Sequence, residues 1–148
     1  MQIEGTYNIK APREAVFKAM MDPGLLAKII PGCEKLTDLG DNKYEMSITI
    51  GVSAVKGTYS GKINIEDIVA PETYKMAVEG SASPGAVKGN VVIRLAEDGS
   101  NTKVTYNGDV QVVGKIAAVG TRFLGMMAKM LSDKFFNAMA KEVVKAAG

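Results

Sequence analysis

The 148-residue sequence predicts a single α+β domain, residues 1–148, with one strand, two short helices, six further strands and a long C-terminal helix. Three observations predict this order. Apolar and polar residues alternate at the N-terminus and again from residue 35 to residue 112, which is the period of half-buried strands. Short turn sequences separate these later runs, so the strands form an antiparallel meander. From about Lys115 the apolar period becomes 3.6 residues, which indicates a helix.

The first strand and the two short helices account for the N-terminal segment. Residues 2–9 alternate as a strand, and the break at Ala11-Pro12 leads into a short apolar helix that Asp22-Pro23 terminates. A second short helix carries the apolar pair Ile29-Ile30 before Pro31-Gly32 turns the chain. This pair either packs on neighbouring elements or lines the mouth of a pocket.

Six strands follow in series. Their apolar phase consists mainly of Val, Ile, Met and Tyr. The turns that separate them contain the residue types expected of hairpins and loops, at Gly40-Asp41-Asn42, Pro71-Glu72, Ser83-Pro84-Gly85 and Glu97-Asp98-Gly99-Ser100. The predicted sheet therefore has seven antiparallel strands in all.

Glycine occupies the apolar phase of several strands, at Gly57, Gly61, Gly80, Gly89 and Gly108. Because alternate residues share one face of a sheet, the buried face has large side chains interleaved with gaps. The glycines either let the sheet curl sharply or leave an apolar space behind it. Both interpretations predict a container for a small molecule.

The C-terminal segment predicts a helix of about 30 residues, about 45 Å long, that lies across the concave face of the sheet. Residues 114–148 carry a net charge of +4, against −2 for the rest of the chain. Such a run is either the solvated side of the helix or a docking surface for an enzyme complex or an anionic membrane. The candidate docking residues are Lys129, Lys134 and Lys141.

Composition argues against several function classes. The chain has no histidine and a single cysteine, Cys33, so neither a His-based catalytic device nor an ordinary zinc site is expected. We therefore predict no catalytic residue, no metal and no cofactor. A net charge of +2 is too small for a nucleic-acid footprint. Residues 1–10 lack the apolar core of a signal peptide, which predicts a soluble cytoplasmic protein.

The leading hypothesis is a cavity between the sheet and the long helix that holds a lipid-like or quinone-like molecule. Besides Ile29 and Ile30 at its mouth, the predicted lining residues are Ile48, Tyr59, Ile63, Met76, Val78, Val91, Tyr106, Phe123, Met127 and Leu131. All five tyrosines lie in the apolar phase of their strands. Their hydroxyls either bond to backbone or internal water, or one of them, with Tyr59 and Tyr106 favoured, meets a ligand carbonyl.

Several local motifs carry a family resemblance over nearly the full length of the chain. They are Asp22-Pro23 with Leu26; Ile30-Pro31-Gly32-Cys33-Glu34; Val55-Lys56-Gly57 with Gly61; Pro71 with Tyr74; Gly114-Lys115-Ile116-Ala117 with Gly120 and Arg122; and Phe135-Phe136. With these motifs the chain resembles the START-like, Bet v 1-type (SRPBCC) helix-grip superfamily. Within that superfamily it is similar to the family of the CoxG subunit of carbon monoxide dehydrogenase.

The resemblance implies a seven-stranded antiparallel sheet curled around a long C-terminal helix and an apolar cavity. It also implies a non-enzymatic accessory protein that binds a hydrophobic molecule, such as a respiratory quinone, and serves a molybdenum hydroxylase at the inner face of the membrane. Two alternatives remain open. One is an interaction module that docks through its basic helix, and the other is a cyclase or hydrolase of the same fold.

Overall fold

The computed structural model describes residues 1–52 and 55–147, and its elements follow the predicted order. The predicted α+β class and the seven-stranded antiparallel sheet are confirmed. The strands are β1 (Gln2–Ile9), β2 (Cys33–Gly40), β3 (Lys43–Ile50), β4 (Gly57–Val69), β5 (Thr73–Ala82), β6 (Gly85–Asp98) and β7 (Asn101–Val113). The helices are α1 (Arg13–Met20), α2 (Pro23–Ile29) and α3 (Thr121–Ala147).

The sheet has the order β1-β7-β6-β5-β4-β3-β2, and every neighbouring pair is antiparallel. Strands β2 to β7 form a meander, whereas β1 pairs with the last strand, β7. The connection from β1 to β2 must therefore cross the whole width of the sheet. Helices α1 and α2 make this crossing, with α1 packed on β6 and β7 and α2 packed on β2.

The boundary between α1 and α2 depends on the Asp22-Pro23 pair. The Asp22 carboxylate accepts hydrogen bonds from the backbone N–H groups of Gly24 and Leu25, at 3.0 and 3.3 Å. Pro23 occupies the first turn of α2, where its missing N–H has no cost. The pair therefore ends one helix and also caps the start of the next.

The long helix begins later than the sequence pattern predicts. Residues Lys115–Val119 form a separate 3₁₀ helix, and α3 starts at Thr121. Gly114 and Gly120 bracket the 3₁₀ helix with φ angles of 88° and 91°, a backbone region that interrupts a right-handed helix. The 27 residues of α3 span about 40 Å, which still covers the concave face.

Close strand contact explains most of the glycines in the apolar phase. A Cβ atom would collide with backbone atoms of the neighbouring strand at Gly61, Gly89 and Gly108. At Gly108, for example, it would lie 2.5 Å from the carbonyl oxygen of Asn90. At Gly57 and Gly80 the nearest atoms would be 3.4 and 3.6 Å away, which are ordinary contacts. The glycines thus permit a sharp curl at three positions and leave room for a side chain at the other two.

The space between α3 and the sheet divides into a packed half and a less packed half. The buried core gathers α1 and the second half of α3 against the sheet, with Phe136, Met139 and Val143 at most 5% exposed. The inward residues of the first half of α3, Met127 and Leu131 among them, are only half-buried. Their exposure shows that the region beneath this part of α3 is not filled by protein.

Candidate ligand cavity

A cavity of about 520 Å³ lies between the first half of α3 and the concave face of the sheet. Pockets that hold drug-sized ligands usually measure about 300–1,000 Å³. Residues from all seven strands contribute to its wall, together with the 3₁₀ helix and α3. The wall is overwhelmingly apolar, so the cavity suits a hydrophobic molecule.

Most of the predicted lining residues do face this cavity. They are Ile30, Ile48, Tyr59, Ile63, Met76, Val78, Val91, Tyr106, Met127 and Leu131. Two predicted residues lie elsewhere. Ile29 is 6% exposed and belongs to the packed core, while its neighbour Ile30, which caps α2, turns towards the cavity. Phe123 is half-buried outside the lining, and Leu124 takes its place.

The later start of α3 accounts for the shift from Phe123 to Leu124. The inward face of the helix consists of residues spaced three or four apart, at Leu124, Met127, Ala128, Leu131, Ser132 and Phe135. An apolar stripe that is extended from Lys115 assumes one continuous helix through Gly120. The break at Gly120 changes which residues of α3 face the sheet. Phe136 also lines the cavity and is 5% exposed, because its ring stacks on Tyr7 of β1 with centroids 4.4 Å apart.

Further lining residues come from the inner phase of the strands, from α1, α2 and the 3₁₀ helix, and from chain segments next to these elements. Their strand alternation is the sequence signal that identifies the sheet members. They are Met1, Ile3, Met20, Leu26, Pro31, Leu36, Tyr44, Met46, Ile50, Val55, Ile65, Tyr74, Val87, Ile93, Val110, Val112 and Ile116.

The Tyr59 hydroxyl is occupied by the protein itself. It donates a hydrogen bond of 2.7 Å to the carbonyl oxygen of Val55, and burial raises its pKa. The backbone alternative for tyrosine therefore applies to this residue. A ligand carbonyl would have to compete with that bond, so Tyr59 contributes its ring to the wall and not a free donor.

A side-chain link ties α3 to the edge strand β1. The Tyr7 hydroxyl donates to Oδ1 of Asp133 at 2.5 Å, and Lys129 Nζ donates to Oδ2 of the same carboxylate at 3.0 Å. Burial, followed by the hydrogen bond to Asp133, raises the pKa of Tyr7. The hydrogen bonds from Tyr7 and Lys129 lower the pKa of Asp133 below its ordinary value of 3.8. The link thus fixes the middle of α3 over the cavity.

We expect this link to make stability depend on acid pH. Because the folded state lowers the Asp133 pKa, the contribution is present above pH 3.8 and is lost as the pH falls through the folded-state value. The Asp133→Asn variant should unfold more easily than wild type at pH 7, and this difference should shrink in acid. Urea unfolding at several pH values measures it. Glu66→Gln on the exposed face of β4 is the matched control, and a pH-independent difference for Asp133→Asn would contradict the link.

The three candidate docking lysines all lie on α3 and are exposed. Lys129 is engaged with Asp133, as described above. Near the C-terminal end, α3 is joined to α2 by an ion pair of 3.2 Å between Lys28 and Glu142. Within the described part of the chain, no helix combines the length and apolar character needed to span a bilayer.

A curled antiparallel sheet that holds a long C-terminal helix over an apolar cavity defines the START-like helix-grip fold. Solved structures of that fold superpose on this chain. A START superfamily protein from Mycobacterium smegmatis has a TM-score of 0.77 at 10% identity, with 98% of each chain covered. An aromatase/cyclase from a Streptomyces species has a TM-score of 0.71 at 17% identity, covering 98% of this chain and 94% of that one. At these identities the likeness concerns the fold alone.

The family model for the CoxG subunit of carbon monoxide dehydrogenase matches residues 5–144. The chain therefore belongs to the CoxG family. A conserved protein from Geobacillus kaustophilus is similar to it over 100% of this chain and 98% of that chain, with 38% identity and a TM-score of 0.96. The resemblance described from the sequence motifs is confirmed.

Proposed function

We propose that this protein binds and carries a hydrophobic molecule, lipid-like or quinone-like, in the cavity beneath α3. The apolar cavity of about 520 Å³ is the observation that carries the proposal. Burial of ligand surface supplies the affinity: removing about 300 Å² of apolar surface from water yields roughly 7 kcal/mol before the costs of association. Family membership supports the same role, since CoxG proteins are accessory subunits.

The proposed role is non-enzymatic. The chain contains no histidine, and the one carboxylate among the described cavity-lining residues, that of Glu79, belongs to a solvent-exposed residue. General acid–base chemistry near neutral pH most often uses a His, Asp or Glu side chain within reach of a bound substrate, and the tyrosines of the wall titrate well above neutral pH. The lining therefore favours binding over catalysis, although an aromatase/cyclase shares the fold.

A fluorescence titration with Nile red, a neutral hydrophobic dye, tests the binding function. We expect saturable binding at one site per chain, with competition by added quinones and a rise in melting temperature when they bind. Binding that does not saturate, together with no thermal protection by quinones, would contradict the proposal.

The partner we propose is a molybdenum hydroxylase of the carbon monoxide dehydrogenase type, in the cytoplasm or at the inner face of the membrane. The support is membership of a family named for a subunit of that enzyme. Co-expression of the tagged chain with such a hydroxylase should recover the enzyme on affinity beads. Recovery no greater than with an unrelated helix-grip protein would contradict this partnership.

A second candidate function is docking through the basic face of α3, favoured by the charge segregation along the chain. Charge reversal at Lys129, Lys134 and Lys141 should abolish docking to the hydroxylase or to anionic vesicles while Nile red uptake persists. Because Lys129 also holds Asp133, a double reversal at Lys134 and Lys141 spares the link to β1.

Reversal of Lys43, Lys88 and Lys103, which are exposed on the strands, is the matched control for the triple reversal. It changes the net charge equally without altering α3. Docking that falls to the same extent in both variants would contradict a specific role of the helix.

A further inference from the structure

Tyr74 differs from every other tyrosine in its surroundings. It lies on β5 opposite Ile93 of β6, lines the cavity and is 3% exposed. Its ring packs edge-on against Phe17 of α1, with centroids 5.9 Å apart. The residue therefore stands where the cavity meets the packed core.

Each of the remaining tyrosines interacts with a polar group of the protein, through a hydrogen bond or through charge. Tyr7 donates to Asp133, and Tyr59 donates to the Val55 carbonyl. The Tyr106 ring stacks on that of Tyr7 with centroids 6.2 Å apart, and the two phenols interact so that Tyr106 contributes to raising the Tyr7 pKa. For Tyr44 the charge of a nearby carboxylate, that of Asp38, adds to the effect of burial in raising the pKa.

Tyr74 has no such neighbour. Its hydroxyl donates to no acceptor in residues 1–52 and 55–147, and burial alone raises its pKa. The phenol therefore stays protonated and keeps an unused O–H donor in apolar surroundings. Buried hydroxyls rarely lack a partner, because an unmade hydrogen bond is costly there. Because Tyr74 lines the cavity and its oxygen is not among the fully enclosed unpaired atoms of the described residues, an acceptor would come from the contents of the cavity, water in the free protein and the ligand in the complex.

Among the described residues, the cavity wall holds no buried, unpaired cation to balance an anionic ligand. Among the described lining residues the charged groups are Lys62 and Glu79, which are exposed and face each other across β4 and β5, and the N-terminal ammonium of Met1, which is already paired with Asp109 at 3.3 Å. A carboxylate moved into this wall would lose its hydration without gaining a counter-charge. A neutral acceptor, such as a ketone, quinone or ester carbonyl, meets no such penalty.

We infer that Tyr74 is the polar anchor of the cavity and that the ligand is an uncharged carbonyl compound whose oxygen accepts from the Tyr74 hydroxyl at the end next to α1. This inference rests on the proposed binding function and deepens it. It assigns both a specificity-determining residue and a direction of insertion, with the hydrocarbon part of the ligand lying towards the first half of α3.

Three matched probes test the anchor: benzophenone, diphenylmethane and diphenylacetic acid. They share two phenyl rings and differ in carrying a carbonyl, a methylene or a carboxylate. Calorimetric titration of wild type should rank benzophenone above the acid. Tyr74→Phe should weaken benzophenone binding by about 5- to 30-fold, the effect of one otherwise unsatisfied hydrogen bond, and change diphenylmethane binding by less than about 2-fold.

Tyr59→Phe is the matched control. It also removes one hydroxyl from the cavity wall, but that hydroxyl already donates a hydrogen bond to the Val55 carbonyl oxygen. It should leave the ratio of the two affinities unchanged. Tyr74→Phe loses no hydrogen bond within the described protein, so the melting temperature without ligand should stay within about 3 °C of wild type.

The outcomes distinguish the role of Tyr74 as the polar anchor from the proposed binding function. Equal weakening of both neutral probes by Tyr74→Phe, or no weakening at all, would overturn the anchor and leave the binding function standing. Preferred binding of diphenylacetic acid by wild type would overturn the neutral ligand class. Failure of wild type to bind any of the three would contradict the proposed function, and the anchor with it.

Discussion

Replacing Ala128 by tryptophan should weaken Nile red and quinone binding by more than about tenfold, which corresponds to about 1.4 kcal/mol. Ala128 is a small, half-buried residue on the inward face of α3, and it lines the cavity. An indole at this position would occupy space that a ligand needs. Because the space is open, the folded chain should accommodate the ring without the strain of overpacking a filled core.

Asn137→Trp is the control for this prediction. Asn137 is exposed on α3, so the same side chain is added outside the cavity. We expect this variant to bind as wild type does. Fluorescence titration measures binding, and circular dichroism reports the fold. Unchanged affinity in a folded Ala128→Trp variant would contradict the assignment of the site.

Gly61→Ala should lower the free energy of unfolding by about 1–3 kcal/mol, the usual cost of forcing extra atoms into packed structure. Gly61 lies on β4 directly opposite Gly80 on β5. A Cβ at Gly61 would overlap the carbonyl oxygen of Glu79, and strand backbone cannot move aside as a flexible side chain can. The curl of the sheet, which shapes the cavity, depends on this close approach.

Gly80→Ala provides a matched control one strand away. An added Cβ there meets its nearest atom at 3.6 Å, so we expect a loss of no more than about 0.5 kcal/mol. Urea unfolding of both variants measures the difference between the paired glycines. Equal destabilisation of the two would contradict the role of Gly61 in close strand contact.

The sheet and the inner face of its strands could be predicted from the sequence because both depend on local alternation. Residues such as Ile48, Ile63 and Met76 share one phase, and a curled sheet turns that phase towards the cavity. The glycine pattern predicts either a curled sheet or an empty space behind it. Only the distance to the neighbouring strand shows that Gly61 permits close strand contact whereas Gly80 leaves room for a side chain.

The helix phase and the tyrosine partners could not be predicted in this way. The backbone break at Gly120 resets the phase of α3, so Leu124 rather than Phe123 faces the cavity. Hydroxyl partners depend on tertiary contacts: Tyr7 meets Asp133, 126 residues away in the chain. For the same reason, the alternation of apolar and polar residues does not distinguish Tyr74 from Tyr59. Tyr59 has a hydrogen-bond acceptor in the described protein, and Tyr74 has none.

Native mass spectrometry of protein purified without detergent or organic solvent tests the central claim most directly, namely that the space beneath α3 is a ligand site. We predict a complex of one chain with one neutral hydrophobic molecule, released on denaturation and greatly reduced in Ala128→Trp. The claim would be contradicted by wild-type protein that is free of any hydrophobic molecule and fails to take one up when quinones are added, or by equal loading of the Ala128→Trp variant.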